Sequence, residues 1–265
     1  MLRVSCSRRV NRFIAWSLVA VLSLAACTGA GSSTPSPQAS TPAASSVPAE
    51  VGTAAADVPG YDKPLRLVTL GDGYTDGSGT SSPGRDSWPS QLVDAMRRSG
   101  LDVVWLNLAE QSHTSDIVVE EQLGQVASLA PDVVTLQVGV NDIISGDTSF
   151  YRQNIELILD ELLDILPADR IFAITTPDHT LTEYGLSFGS STDGHAAVEE
   201  LNRTLAEVAA ARGVAVIDIS AVNELAADDP SLVIGDGPYG TPKQYAGWVE
   251  IIGPRIRAAL PTIEP

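Results

Sequence analysis

Cysteine is nearly absent. The 265 residues contain two, Cys6 and Cys27, both within the first 27. Everything after them can hold neither a disulfide nor a cysteine metal centre. Histidine is as scarce: His113, His179 and His195 show none of the short spacings by which zinc ligands pair. Neither a metal nor a cofactor is expected. Basic residues are also few. Of 16 Lys+Arg, Arg3, Arg8, Arg9 and Arg12 lie in the first 12 residues, which leaves 12 against 33 Asp+Glu, a formal −21. A surface that acidic repels phosphate backbones and anionic headgroups, which argues against nucleic acid as a partner. Residues 13–26 form an apolar run of 14. That is short for a bilayer span, which needs about 20 residues, and suits the core of a signal peptide.

What is present begins with that segment. The run ends Leu24-Ala25-Ala26-Cys27, which resembles a bacterial lipobox and implies lipidation of Cys27 as the mature N-terminus. Residues 1–27 are thus expected to be a lipoprotein signal peptide, and the location the extracytoplasmic face of the cell membrane. The membrane would be a partner through the lipid anchor only. Residues 28–62 are mostly Ser, Thr, Pro, Ala and Gly. They carry too few large apolar side chains to offset the entropy of ordering, so they read as a flexible tether. Residues 63–265 remain as one domain.

Within that domain, short apolar runs alternate with helical patterns. Strands are expected at 65–70, 103–108, 132–138, 170–175 and 214–218. Helices are expected from Ser87 to Gly100, at 115–129, 150–166 and 195–212, and from Thr241-Pro242 onward. Strands alternating with helices give an α/β fold, a parallel five-stranded sheet with helices on both faces. Ligands of such sheets sit at the carboxyl ends of the strands, so the loops there hold the candidate chemistry.

The first of these loops is Gly71-Asp72-Gly73-Tyr74-Thr75-Asp76-Gly77. It is not a dinucleotide loop: its glycine spacing is wrong, and Asp72 and Asp76 stand where a pyrophosphate needs bare amides. Three further blocks follow in order: Asn107-Leu108-Ala109, Gly139-Val140-Asn141-Asp142 and Asp236-Gly237-Pro238-Tyr239. Together the four resemble the SGNH, or GDSL, hydrolase family over residues 63–262. The resemblance implies a three-layer, flavodoxin-like sheet of order 2-1-3-4-5 and hydrolysis of esters or acetyl esters.

Carried onto this chain, the family's nucleophilic serine falls at Gly73 and its general-base histidine at Tyr239. The oxyanion-hole glycine falls at Ser112, whereas the oxyanion-hole Asn141 and the orienting Asp236 match. Glycine cannot form an acyl-enzyme, and a phenol with a pKa of about 10 is a poor base at neutral pH. The expectation is a monomeric SGNH-like lipoprotein whose chemistry is impaired. Its cleft would hold a small acyl-ester or acetylated-carbohydrate ligand, with Asp72, Thr75, His113 and His179 as further binding candidates. An ester hydrolase working through substitute residues, and a tethered interaction domain, are the alternatives.

Overall fold

The computed structural model describes residues 63–260 apart from Asp236. The expectations for Cys27, for the signal and tether segments and for Asp236 lie outside the described residues.

Five strands form one parallel sheet: β1 (Leu65–Gly71), β2 (Val103–Asn107), β3 (Val133–Gln137), β4 (Ile171–Ile174) and β5 (Ala215–Ile217). Their order is β2-β1-β3-β4-β5, as the resemblance implied. Side chains alternate across the sheet. Leu65 and Leu67 of β1 pack on one side with Trp88, Leu92, Trp248 and Ile252, from the helices Trp88–Arg98 and Pro242–Ala259. Val68 and Leu70 pack on the other with Ile155, Leu159, Leu201 and Leu205, from the helices Tyr151–Ile165 and Ser191–Ala210. Both strand faces are thereby covered, which is why the strands read as nearly continuous apolar runs.

Two helices differ from expectation. Residues 115–129 are not one α-helix. A single turn at Ser115–Ile117 passes into a π-helical stretch, Val118–Gln122, and then a 3₁₀ stretch, Leu123–Leu129. The wide π turn swings Gln122 inward, where it brackets the end of β1. Its Oε1 accepts from Gly71 N at 2.9 Å and its Nε2 donates to Gly71 O at 2.8 Å. Such turns insert a side chain where a regular helix would carry it past. The helix expected at 195–212 starts at Ser191, because Ser190 caps it by accepting from Asp193 N at 3.1 Å. His195 is therefore one turn inside the helix rather than at its opening.

Candidate functional site

The carboxyl end of β1 sets the first wall of the site. At Gly71, φ is +147°, and a Cβ would lie 2.1 Å from Gln137 O, so only glycine lets β1 and β3 close here. Asp72 then caps the short helix Gly73–Asp76 by accepting from Tyr74 N at 3.0 Å. Its carboxyl is buried, and burial pushes its pKa up to about 8. The amides of Tyr74 and Gly139 pull the other way, while Asp142 and Asp76 add to the rise. Thr75 is also buried, and its hydroxyl donates to Gln137 Oε1 at 3.1 Å, beside the Trp88 Nε1 bond to the same oxygen at 3.0 Å. Asp72 and Thr75 thus hold the floor beneath the site and do not line it.

Above that floor, Gly73 meets Tyr239. A Cβ on Gly73 would lie 2.6 Å from Tyr239 Oη and 2.8 Å from a ring carbon. The phenol occupies the space that a side chain at position 73 would fill. Tyr239 Oη accepts from Gln111 Nε2 at 3.1 Å. Its ring stands edge-on to Tyr74, with centroids 5.3 Å apart, and Tyr74 in turn donates to Pro238 O at 2.7 Å. Partial burial raises the Tyr239 pKa above the ordinary tyrosine range. The phenol therefore stays protonated at neutral pH and cannot serve as a base.

The loop after β2 brings Ser112 to the same place with φ +68°. This is left-handed backbone, which costs a residue with a Cβ about 1 kcal/mol. The family resemblance puts a glycine at this position, and here a serine takes up a glycine-type conformation. Ser112→Gly is expected to stabilise the domain by about 1 kcal/mol, or ~2–4 °C in Tm. A thermal melt with an unchanged or lower Tm would show that the Ser112 side chain contributes more than its backbone costs.

Asn141 follows β3, and its Nδ2 donates to His113 O at 2.9 Å. Asp142 beside it accepts from Ser115 N at 3.0 Å and Ser115 Oγ at 2.5 Å. Together they staple the β2 loop to the β3 loop. His113 is turned into the protein, with Nδ1 2.8 Å from Gln122 Nε2. His179 is buried at 2% exposure, and its Nδ1 has no hydrogen-bond partner among the described residues. Burial lowers its pKa, so the ring is neutral at pH 7. The remaining histidine, His195, pairs through Nδ1 with Asp178 Oδ2 at 2.7 Å. No serine or threonine hydroxyl among the described residues hydrogen-bonds a histidine ring.

Ser112, Asn141 and Tyr239 share a cleft of about 490 Å³. Gln111 completes its polar side, and Ile144, Tyr184, Phe188, Ile234 and Pro238 form its apolar side, with Gly79 and Gly237 also lining it. Gly73 lies directly behind Tyr239. His113 does not line this cleft, and His179 lines a neighbouring one. Sequence reasoning missed Gln111 and the aromatic rim. Tyr184 and Phe188 are 43% and 45% exposed and stack edge-to-face at 5.2 Å. Two aromatics four residues apart in a glycine-containing loop were the available signal.

Comparison with known proteins agrees with this geometry. The family model described as "GDSL-like Lipase/Acylhydrolase family" matches residues 69–248. A multidomain esterase of Ruminococcus flavefaciens is 26% identical over 218 aligned residues, in an alignment that covers 77% of this chain. The chain spans only 27% of that protein's length. Among solved structures, a lipase/acylhydrolase from Enterococcus faecalis is 19% identical with a TM-score of 0.62, covering 76% of this chain and 99% of the other. An acetyl xylan esterase from Geobacillus stearothermophilus is 15% identical with a TM-score of 0.58, covering 72% and 94%. At such identities the solved structures speak for the fold alone. The matched residues run from the end of β1 into the first two turns of the last helix and take in the loops that bear Gly73, Ser112, Asn141 and Tyr239; the chain belongs to the GDSL-like lipase/acylhydrolase family.

Proposed function

We propose that this domain has given up ester hydrolysis and uses the family's cleft to bind a small acyl or acetylated-sugar ligand. The observation that carries the reading is the Tyr239 phenol standing 2.6 Å from where a Cβ on Gly73 would be. A missing hydroxyl alone would leave a gap ready for a substitute. Here the gap is filled by a phenol that stays protonated at neutral pH, is hydrogen-bonded to Gln111 rather than to a base, and so neither accepts a proton nor is activated for attack. A cleft of about 490 Å³ with an aromatic rim remains open beside it, within the usual range for small-ligand sites. An acetylated sugar fits the family setting, since one structural neighbour is named an acetyl xylan esterase.

The test is reaction of purified protein with a fluorophosphonate probe, alongside turnover of p-nitrophenyl acetate. No labelling and background turnover are expected. Stoichiometric labelling mapped to any serine would replace this reading with hydrolysis through a substitute nucleophile.

The cellular setting proposed is a monomer at the extracytoplasmic membrane face, anchored through a lipid on Cys27. Cys27→Ser is expected to move the protein from the membrane to the soluble fraction or to leave it unprocessed. A processed variant that still fractionates with membranes would refute the anchor.

A further inference from the structure

A second cavity of about 280 Å³ adjoins the cleft, and the two share Ile144 and Phe188 as a common wall. Its far side is polar: His179, Thr180, Ser190 and Asp193 line it. Gly194 keeps it open, because a Cβ there would lie 2.4 Å from Thr180 Cγ2. The Nε2–Cε1 edge of His179 comes within 3.8 Å of that same point, which places this edge at the cavity wall. No described residue hydrogen-bonds either ring nitrogen of this buried imidazole.

Nδ1 is buried without a partner, and Nε2, on the ring edge that meets the cavity, likewise has none among the described residues; polar groups in folded interiors are nearly always paired, so the imidazole points to a partner that arrives through the cavity. The lining limits what that ligand can be. No described residue lining either cavity is a lysine or arginine, so a phosphate, sulfate or uronate would find no counter-charge. An alkyl chain would strip water from His179, Thr180 and Ser190 without replacing their hydrogen bonds. A neutral sugar ring suits both kinds of wall. Its hydroxyl edge can pair with the imidazole, and its C–H face can lie on Phe188, an apolar ring surface with an electron-rich face.

We propose that this cavity is a subsite for a second neutral sugar residue, so that the ligand is an oligosaccharide straddling the Ile144–Phe188 ridge, with His179 as its hydrogen-bonding partner. The proposal rests on the reading of the main cleft as a binding site.

The probes are partially acetylated xylose, xylobiose and xylotriose, with decanoyl xyloside as the acyl-chain control, titrated by calorimetry against the whole protein. Affinity is expected to rise at least tenfold from the mono- to the disaccharide. Ala197→Phe, which fills the cavity from the helix Ser191–Ala210, should abolish that gain and leave monosaccharide affinity unchanged. His179→Leu should reduce the gain more than His179→Gln does, and circular dichroism checks that each variant folds. Equal affinity for mono- and disaccharide, an undiminished gain in Ala197→Phe, or preference for the decanoyl control would each overturn the subsite while leaving the cleft reading in place. Failure of every probe, the monosaccharide included, would overturn both.

Discussion

The triple variant Gly73→Ser, Tyr239→His, Ser112→Gly is expected to hydrolyse p-nitrophenyl acetate on the order of 10²–10³-fold faster than the native chain. Removing a nucleophile or base from such a unit costs on the order of 10⁶ in kcat, and grafted groups recover only part of that. The single changes should do almost nothing, for different reasons. Gly73→Ser drives a Cβ to 2.6 Å from the Tyr239 hydroxyl. The phenol must swing aside and lose Gln111, an overpacking strain of roughly 1–3 kcal/mol. The new hydroxyl then has no base. Tyr239→His removes the obstruction but leaves nothing to activate. The double change relieves the clash and supplies both groups, with Asp236 placed by sequence to orient the imidazole. Asn141 can still offer the second N–H of its amide to an oxyanion, since one is committed to His113 O. Ser112→Gly adds freedom to the loop whose backbone amide the family resemblance assigns to the oxyanion hole. Esterase rates across the series, with unfolding midpoints for each protein, decide the matter. If the triple variant folds and stays at background, the cleft has been reshaped beyond these positions, and Asn141 and Asp236 lose their assigned roles.

Asp72→Asn is expected to flatten the pH dependence of stability. In the native fold the Asp72 carboxyl stays protonated up to about pH 8, whereas in the unfolded chain it ionises near pH 4. A folded pKa raised above the unfolded one gives a contribution that is fully present at low pH. It is lost as pH rises through the window from about 4 to about 8, and does not change beyond it. The loss is on the order of 5 kcal/mol, at about 1.4 kcal/mol per unit. Asparagine keeps the oxygen that accepts from Tyr74 N and has no proton to lose. Urea midpoints measured across that window should fall for the native chain and fall much less for the variant, which becomes the more stable of the two at pH 8. Parallel profiles would mean that Asp72 ionises in the folded state.

The strands were legible because a parallel sheet covered on both faces demands apolar runs, and these stood out between glycines. Strand order came from the four ordered blocks, which periodicity alone does not supply. The stretch 115–129 reads as one helix because its apolar residues fit a regular helix. The π turn is imposed by where Gln122 must hydrogen-bond, which is a tertiary demand. The true start of the His195 helix is hidden in the sequence because Ser190 is one of several serines able to cap it. At the site, the absent serine and histidine were visible as letters. That Tyr239 fills the space at Gly73 was not, since the two are 166 residues apart in sequence and meet only through the fold. Ser112 shows the same limit: a serine in a loop carries no mark of a left-handed backbone.

The contact between positions 73 and 239 also constrains the order in which sequence change can occur. From a serine and histidine pair to the present glycine and tyrosine, a tyrosine arriving first would press on the serine. A serine lost first leaves room for it. In the other direction, restoring serine alone meets the phenol, and restoring histidine alone confers no reaction on which selection could act. A lineage that reaches this arrangement is held there by geometry. On the proposed loss of hydrolysis, a single change at either position meets packing cost or lacks a catalytic partner, and only the paired change restores both groups.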